Sequence, residues 1–218
     1  MVNTIPIFSE LFKGIERDEG IELMNRLGAT IRTIPAGGFV LREGTLKRNI
    51  GVLLDGELEM FETDANGRRT MVGVVHPQQS FAQVFAFANV EQHPASVMAS
   101  EDSTILVIPI ANILPQPGAE IDRIQRRFIK NMMTDMANAA WTLRSRAFIL
   151  SRHSTEERLM TYLRQQMHSA GSPSFAIPYD RQGLADFLSV DRSALSSVIG
   201  KLARRGVLKY HKNHFTIL

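Results

Sequence analysis

The sequence predicts an α+β chain: an antiparallel β-rich N-terminal part, one long helix, and a C-terminal part of short helices closed by a hairpin. Three observations carry this. Turn signals separate short apolar runs through residues 1–112, and the apolar period lengthens to a helical one over 117–149. Two short helical segments joined by a tight turn then precede a hairpin near the end. A length of 218 residues exceeds one average domain, and the divisions expected are 1–112, 113–149 and 150–218.

In the first part, turn signals recur at Ala36-Gly37-Gly38, Glu43-Gly44, Asp55-Gly56, Asn66-Gly67 and Pro77-Gln78-Gln79. Asn-Gly between apolar runs is a strong hairpin signal, because both residues tolerate positive φ. The runs between these turns are strand-like: Ile50 to Leu54, Leu58 and Met60 alternating with Glu57 and Glu59, Met71 to Val75, and Ile105 to Ile108. Such spacing indicates an antiparallel sandwich or barrel. Ahead of it, Ile21, Leu23, Met24 and Leu27 place a helix over Arg17 to Leu27.

From 117 to 149, Ile121, Ile124, Phe128, Met132, Met136, Ala139 and Leu143 recur every three or four residues, with Pro115 and Pro117 just ahead of the start. A helix of that length spans about 45 Å, more than one small domain covers. A parallel dimer seam is the preferred reading, with packing on the chain's own β-domain as the alternative.

The C-terminal part opens with a helix, Thr155 to Met167, and a polar break at Ser169 to Pro173. Asp180 caps a helix over Arg181 to Leu188, which presents Leu184, Phe187 and Leu188 to a core. Ser189-Val190-Asp191 forms the turn, with Asp191 as the next cap. A second helix runs from Arg192 to about Arg205, buries Leu195, Val198, Ile199 and Leu202, and stops at Gly206. Val207 to Tyr210 and His214 to Leu218 then form a wing around Lys212-Asn213. This is a helix-turn-helix, whose second helix enters the DNA major groove. Ser193, Ser196, Ser197, Gly200 and Arg204 share its outer face. Arg181, Gln182 and Arg192 stand at helix starts, where side chains and N–H groups suit phosphate.

Charge agrees with a polyanionic partner. From Leu150 onward there are ten Lys/Arg against five Asp/Glu, and fifteen against seventeen elsewhere. The absence of cysteine excludes disulfides, thiolate zinc sites, cysteine-ligated iron–sulfur clusters and cysteine nucleophiles. No signal peptide or membrane span is read, so a cytoplasmic protein is expected. The six histidines make no zinc-ligand motif, and neither a Ser/His/Asp pattern nor a phosphate-binding glycine loop appears, so no enzyme is expected.

The chain resembles the Crp/Fnr superfamily of bacterial regulators, those related to the cyclic-AMP receptor protein. The C-terminal motifs are Arg181-Gln182-Gly183-Leu184-Ala185-Asp186-Phe187-Leu188, Val190-Asp191-Arg192-Ser193-Ala194-Leu195-Ser196 and Leu202-Ala203-Arg204-Arg205-Gly206. The N-terminal ones are Ile34-Pro35-Ala36-Gly37 through Glu43-Gly44, Leu53-Leu54-Asp55-Gly56-Glu57-Leu58 and Asp64-Ala65-Asn66-Gly67-Arg68. The resemblance implies a β-roll sensor domain, a dimerisation helix and a winged helix-turn-helix. Double-stranded DNA with a palindromic operator and a second copy of the chain are then the expected partners, with RNA polymerase added if the protein activates. The runner-up is a ligand-binding or protein-interaction module that keeps this shape without DNA binding.

Two departures from the family pattern follow. Nucleotide-binding members carry a Phe-Gly-Glu cassette and a later Arg-Ser/Thr-Ala, for the ribose hydroxyl and the cyclic phosphate. Here the cassette region reads Phe81-Ala82-Gln83-Val84 and the later stretch His93-Pro94-Ala95-Ser96-Val97. Val84 accepts no hydroxyl bond, and a neutral His93 lacks the fork and permanent charge that hold phosphate. Cyclic AMP and cyclic GMP are therefore not expected. In the reading helix, Ser193, Ser196 and Ser197 replace the family's usual Glu, Ser or Gly, and Arg, which predicts an unfamiliar operator with more specificity from Arg192 and Lys201. A more apolar effector pocket is expected from Met71, Val84, Phe85, His93, Met98 and Met132 or Met133, its ligand unknown, and effector-free DNA binding stays open. His76 and His93 are candidate haem or metal ligands, but two histidines without a recognised spacing predict neither cofactor.

Overall fold

The structure, a computed structural model, describes all residues except 1, 7, 46–47, 65, 89–91 and 115–119. Pro115 and Pro117 ahead of the long helix, and Ala65 of the Asn-Gly motif, lie outside the described residues. The chain divides into two compact units, Met1–Asn138 and Ala139–Leu218.

The first unit begins with helix α1 (Arg17–Arg26). Eight strands follow: β1 (Thr30–Ile34), β2 (Phe39–Leu41), β3 (Asn49–Asp55), β4 (Leu58–Thr63), β5 (Arg69–Val75), β6 (Ser80–Phe81), then β7 (Ser96–Ala99) and β8 (Ser103–Pro109) after the short helix α2 (Gln83–Phe87). They form two four-stranded sheets, ordered β1-β8-β3-β6 and β2-β7-β4-β5. Every recorded pairing is antiparallel. The predicted turns are real: Gly37, Gly44, Gly56, Gly67 and Gln78 all have positive φ, and Asn66-Gly67 joins the β4–β5 hairpin. The sequence reading named β3, β4, β5 and β8 but missed β1, β2, β6 and β7.

The near-continuous apolar runs of β3 and β8 follow from burial on both faces. Leu53 and Ile105 point between the sheets, with Leu41, Leu58, Val75, Phe81 and Val97. Their neighbours Ile50, Val52, Leu106 and Ile108 point the other way, into a second core with Leu23 and Met24 of α1. Complete burial of a large aliphatic side chain contributes about 1.5–3 kcal/mol, so the sheet is held from both sides.

Helix α3 (Arg123–Leu150) contributes Phe128 and Met132 to that second core. The Phe128 ring lies 5.5 Å from Phe12. The predicted apolar stripe therefore splits: Ile124, Phe128, Met132 and Met136 pack on the chain's own first unit. Its last members, Ala139 and Leu143, do not, because every residue from 137 to 144 is exposed.

In the second unit, α4 (Thr155–Ala170) opens with a capping box. The Glu157 N–H donates to Ser154 Oγ at 3.1 Å, and the Ser154 N–H to Glu157 Oε2 at 3.2 Å. It continues through Ser169 and Ala170, where the polar break was expected, and ends at Gly171 with φ 62°. After it come β9 (Ser174–Ala176), α5 (Arg181–Leu188), α6 (Arg192–Arg204), β10 (Leu208–His211) and β11 (His214–Ile217). The wing is thus a three-stranded sheet, β10-β11-β9, with one strand more than predicted. Ile149, Leu159, Leu163, Leu184, Leu188, Leu195, Ile199, Leu202 and Phe215 form this unit's core.

Candidate nucleic-acid interface and sensor region

The helix-turn-helix is built from its caps inward. Asp180 Oδ1 accepts from the Gly183 N–H at 2.7 Å, closing the start of α5 as the sequence predicts. Leu184, Ala185 and Leu188 are fully buried on its inner face. Phe187 is only half-buried and packs in an aromatic group with Tyr162 and Tyr179.

The turn depends on one backbone conformation. Ser189 is left-handed, with φ 52° and ψ 53°. This lets its N–H reach the Asp186 carbonyl at 3.1 Å and the Val190 N–H reach that of Ala185 at 3.0 Å. Arg158 of α4, which sequence reasoning missed, completes the turn. Its Nη1 donates to the Leu188 and Ser189 carbonyls at 3.2 and 3.3 Å, and its Nε to that of Arg152 at 3.0 Å. No local motif signals such a contact, since 30 residues separate Arg158 from Leu188.

Helix α6 stops as predicted. Gly206, at φ 73°, places its N–H 3.1 Å from the Ala203 carbonyl and lets the Val207 N–H reach Leu202 at 3.0 Å. Its start differs from expectation. Asp191 holds the N-cap position in extended backbone, but its side chain makes no capping bond. The first-turn N–H groups of α6 are therefore left uncapped by a side chain.

Leu195, Ile199 and Leu202 anchor α6 in the core, and Val198 is half-buried. The opposite face exposes Arg192, Ser193, Ser196, Ser197, Lys201 and Arg204. Arg192, Ser193, Ser197 and Lys201 make no side-chain hydrogen bond or ion pair among the described residues. The Ser196 hydroxyl donates back to the Arg192 carbonyl at 2.9 Å. Gln182 donates to Asp186 at 2.8 Å, and Arg205 is paired with Glu156 at 2.8 Å.

Arg181 does not simply project into solvent. Its guanidinium lies 5.4 Å from the Tyr210 ring and 5.9 Å from that of Phe215, both on the wing. Burial draws its pKa below the usual value. Tyr210 opposes the shift and nearby Arg192 adds to it.

Among the described residues, the six expected effector residues stand in different settings. Met71, on edge strand β5, is 57% exposed, and Val84, on α2, is 52% exposed. Met132 is consumed by the core, Met133 is exposed, and Met98 of β7 pairs with Phe39 and Glu59. Phe85 and His93 meet, with ring centroids 4.5 Å apart. His93 is 6% exposed, and its Nδ1–H donates to the Ala95 carbonyl at 2.7 Å, leaving Nε2 without a partner. Burial lowers its pKa, only partly offset by that hydrogen bond, so the ring is held neutral. A cavity of about 130 Å³ between the sheets, lined by Phe39, Leu41, Ile50 and Phe81 with Arg32 and Asn49, includes none of the six.

The sequence reading also missed Asp135 of α3. Its Oδ2 accepts from Ser80 Oγ at 3.0 Å and from Gln83 Nε2 at 3.2 Å, which ties the cassette region to the long helix. Among the described residues no group of three or more His, Cys, Asp or Glu side chains is placed to hold a metal ion. No described helix is long and apolar enough to cross a membrane.

Comparison with known proteins gives the class. Two family models match the chain: the cyclic nucleotide-binding domain over residues 31–115 and the Crp-like helix-turn-helix domain over residues 157–218. The chain belongs to the Crp/Fnr superfamily, whose members are transcription regulators with a DNA-binding helix-turn-helix and are not enzymes. It is 24% identical over 184 residues to a probable transcriptional activator of Rhizobium leguminosarum bv. viciae, covering 82% of this chain and 72% of that one. Among solved structures, DNR from Pseudomonas aeruginosa matches with a TM-score of 0.50 at 17% identity, over 97% of this chain and 91% of that one. CprK in complex with OCPA matches with a TM-score of 0.55 at 15% identity, over 90% and 88%. At such identities these two structures show the fold alone.

The left-handed serine in the turn makes a stability test. Ser189→Gly removes the Cβ penalty of that conformation and is expected to raise the stability of the second unit by about 0.5–1 kcal/mol. Urea denaturation followed by circular dichroism measures it, and a loss of stability would contradict the strain assigned to Ser189.

Proposed function

We propose that the protein is a homodimeric, sequence-specific DNA-binding regulator that acts in the cytoplasm on a palindromic operator. Its DNA affinity answers to a signal other than a cyclic nucleotide, received by the β-roll. The observation that carries DNA recognition is the outer face of α6. There Arg192, Ser193, Ser197 and Lys201 are exposed and unpaired among the described residues, while the inner face is locked in the core. In this reading Arg192 and Lys201 meet phosphate or base edges, and the three serines read bases directly or through water. Arg181 and Gln182 line the phosphate backbone from the start of α5. Where the operator adjoins a promoter, RNA polymerase is a further partner.

The dimer reading rests on α3. The eight exposed residues from 137 to 144 are more than two full turns, and they include Trp141 and Leu143. Met133 and Phe148 of the same helix are exposed as well. A second α3 laid alongside covers them. A signal at the cassette has a physical route to that seam, because Ser80 and Gln83 are hydrogen-bonded to Asp135 on the same helix.

Three measurements test this. Arg192→Ala in both protomers removes two phosphate contacts, so the slope of log affinity against log salt is expected to become shallower by about 1.8. An unchanged slope would remove Arg192 from the interface. Met133→Glu combined with Leu143→Glu is expected to halve the sedimenting mass in analytical ultracentrifugation. A wild-type protein that is already monomeric at DNA-binding concentrations would sink the dimer reading. Titration with cyclic AMP or cyclic GMP is expected to release no calorimetric heat and leave operator affinity unchanged, and saturable binding of either would overturn the assignment of a different signal.

A further inference from the structure

The cavity of about 130 Å³ in the first unit takes its wall from β1, β3, β6 and β8 of one sheet and from β2 of the other. The strand register shows what is unusual about it. Leu53 and Ile105 point between the sheets, and antiparallel partners place their side chains on one face. Arg32 pairs with Ile105, so it stands on that inner face too. On β3 the positions that alternate with Leu53 are Gly51 and Asn49. A face that only filled a core would carry aliphatic side chains at all three positions. Here it carries a cation, no side chain and an amide. At Gly51 the missing side chain lets Phe81 lie against the strand, because a Cβ there would run into its ring.

The rest of the wall is apolar, with Ile34, Phe39, Leu41, Phe81, Ile105 and Val107 contributing. Its volume is close to that of a cavity of about 150 Å³, lined by Leu, Ile and Phe, that takes up benzene. Both polar groups can be reached by an occupant. Arg32 is exposed and Asn49 half-buried, and neither side chain makes a hydrogen bond or ion pair among the described residues. Among the described residues Arg32 is the one charged side chain in the wall. The Arg42 guanidinium, 3.8 Å from the Phe39 ring centroid, adds a second positive charge beside it. Leu53 and Arg32 are level with one another, since both pair with Ile105, which sets Asn49 farther along the wall. The charged head of a small ligand therefore meets Arg32, and its tail runs toward Gly51.

We propose that this cavity binds a monocarboxylic acid, its carboxylate held by the Arg32 guanidinium and its apolar tail seated between Phe39, Phe81 and Val107. One guanidinium fork matches one carboxylate bidentately and balances its single charge. The tail has about the bulk of a benzene ring. The proposal gives a chemical class to the signal of the β-roll and to that extent rests on the function proposed above; the binding itself does not.

The probe is cyclohexanecarboxylate, titrated into the full chain by calorimetry. One equivalent is expected to bind, and its ring protons to show intermolecular NOEs to labelled Ile105 and Val107 methyl groups. Arg32 is exposed, so Arg32→Gln removes the charge without disturbing a core. The variant should bind cyclohexanecarboxylate about tenfold more weakly, the worth of a charge-assisted hydrogen bond. Neutral cyclohexanecarboxamide is expected to bind both proteins equally, and adamantane-1-carboxylate, the same head on a bulkier cage, to be excluded. Absence of binding, no NOE to either methyl group, equal cyclohexanecarboxylate affinity in the two proteins, or uptake of the adamantane acid overturns the proposal. Binding that meets every expectation but leaves operator affinity unchanged keeps the site and overturns its part in signalling.

Discussion

Residues 189 to 191 must reverse the chain within one short turn and still leave two helices in close contact. That demand governs the DNA-binding unit. It sends Ser189 into the left-handed region, where the backbone N–H groups satisfy the last carbonyls of α5 that the helix itself cannot. It requires a side chain as small as Ala185 at the crossing, and Ala185 is fully buried. It also calls for an outside donor, since Leu188 and Ser189 carbonyls remain, and Arg158 supplies it from α4. Once α5 and α6 are joined in this way, the inner face of α6 is committed to Leu195, Ile199 and Leu202, and only its outer face is available to a partner.

Much of this unit was legible because the signals were local. Asp180 before an apolar period marked the start of α5, and Gly206 after Leu202 marked the end of α6. Both depend on residues within a turn of one another, which a linear reading sees directly. The missed cap at Asp191 shows the limit: the residue type and backbone were right, but the side chain makes no capping hydrogen bond. Arg158 and Asp135 were invisible for the opposite reason, as their partners are distant in sequence and carry no spacing rule.

The first unit was legible where strands were long and flanked by glycine turns. Strands β2 and β6 span three and two residues, too few for alternation to register. The settings of the expected effector residues were illegible for a related reason. Apolar character alone does not say which face of a two-sheet roll a residue occupies, so Met132 entered the core while Met71 and Val84 faced outward. The long helix was recognised by period, but the same stripe serves burial within the first unit up to Met136. The sequence gives no mark at the point where internal burial ends and exposure begins.

The hydrogen bond from Ser196 to the Arg192 carbonyl reaches beyond helix geometry. A hydroxyl has one proton to give, and here it is already given to the backbone. What remains toward solvent is an oxygen that can only receive. In the major groove such an atom is answered by the exocyclic amino groups of adenine and cytosine and repelled by the keto oxygens of guanine and thymine. On the proposed DNA-binding reading, such a side chain sorts bases by amino against keto edge rather than by identity.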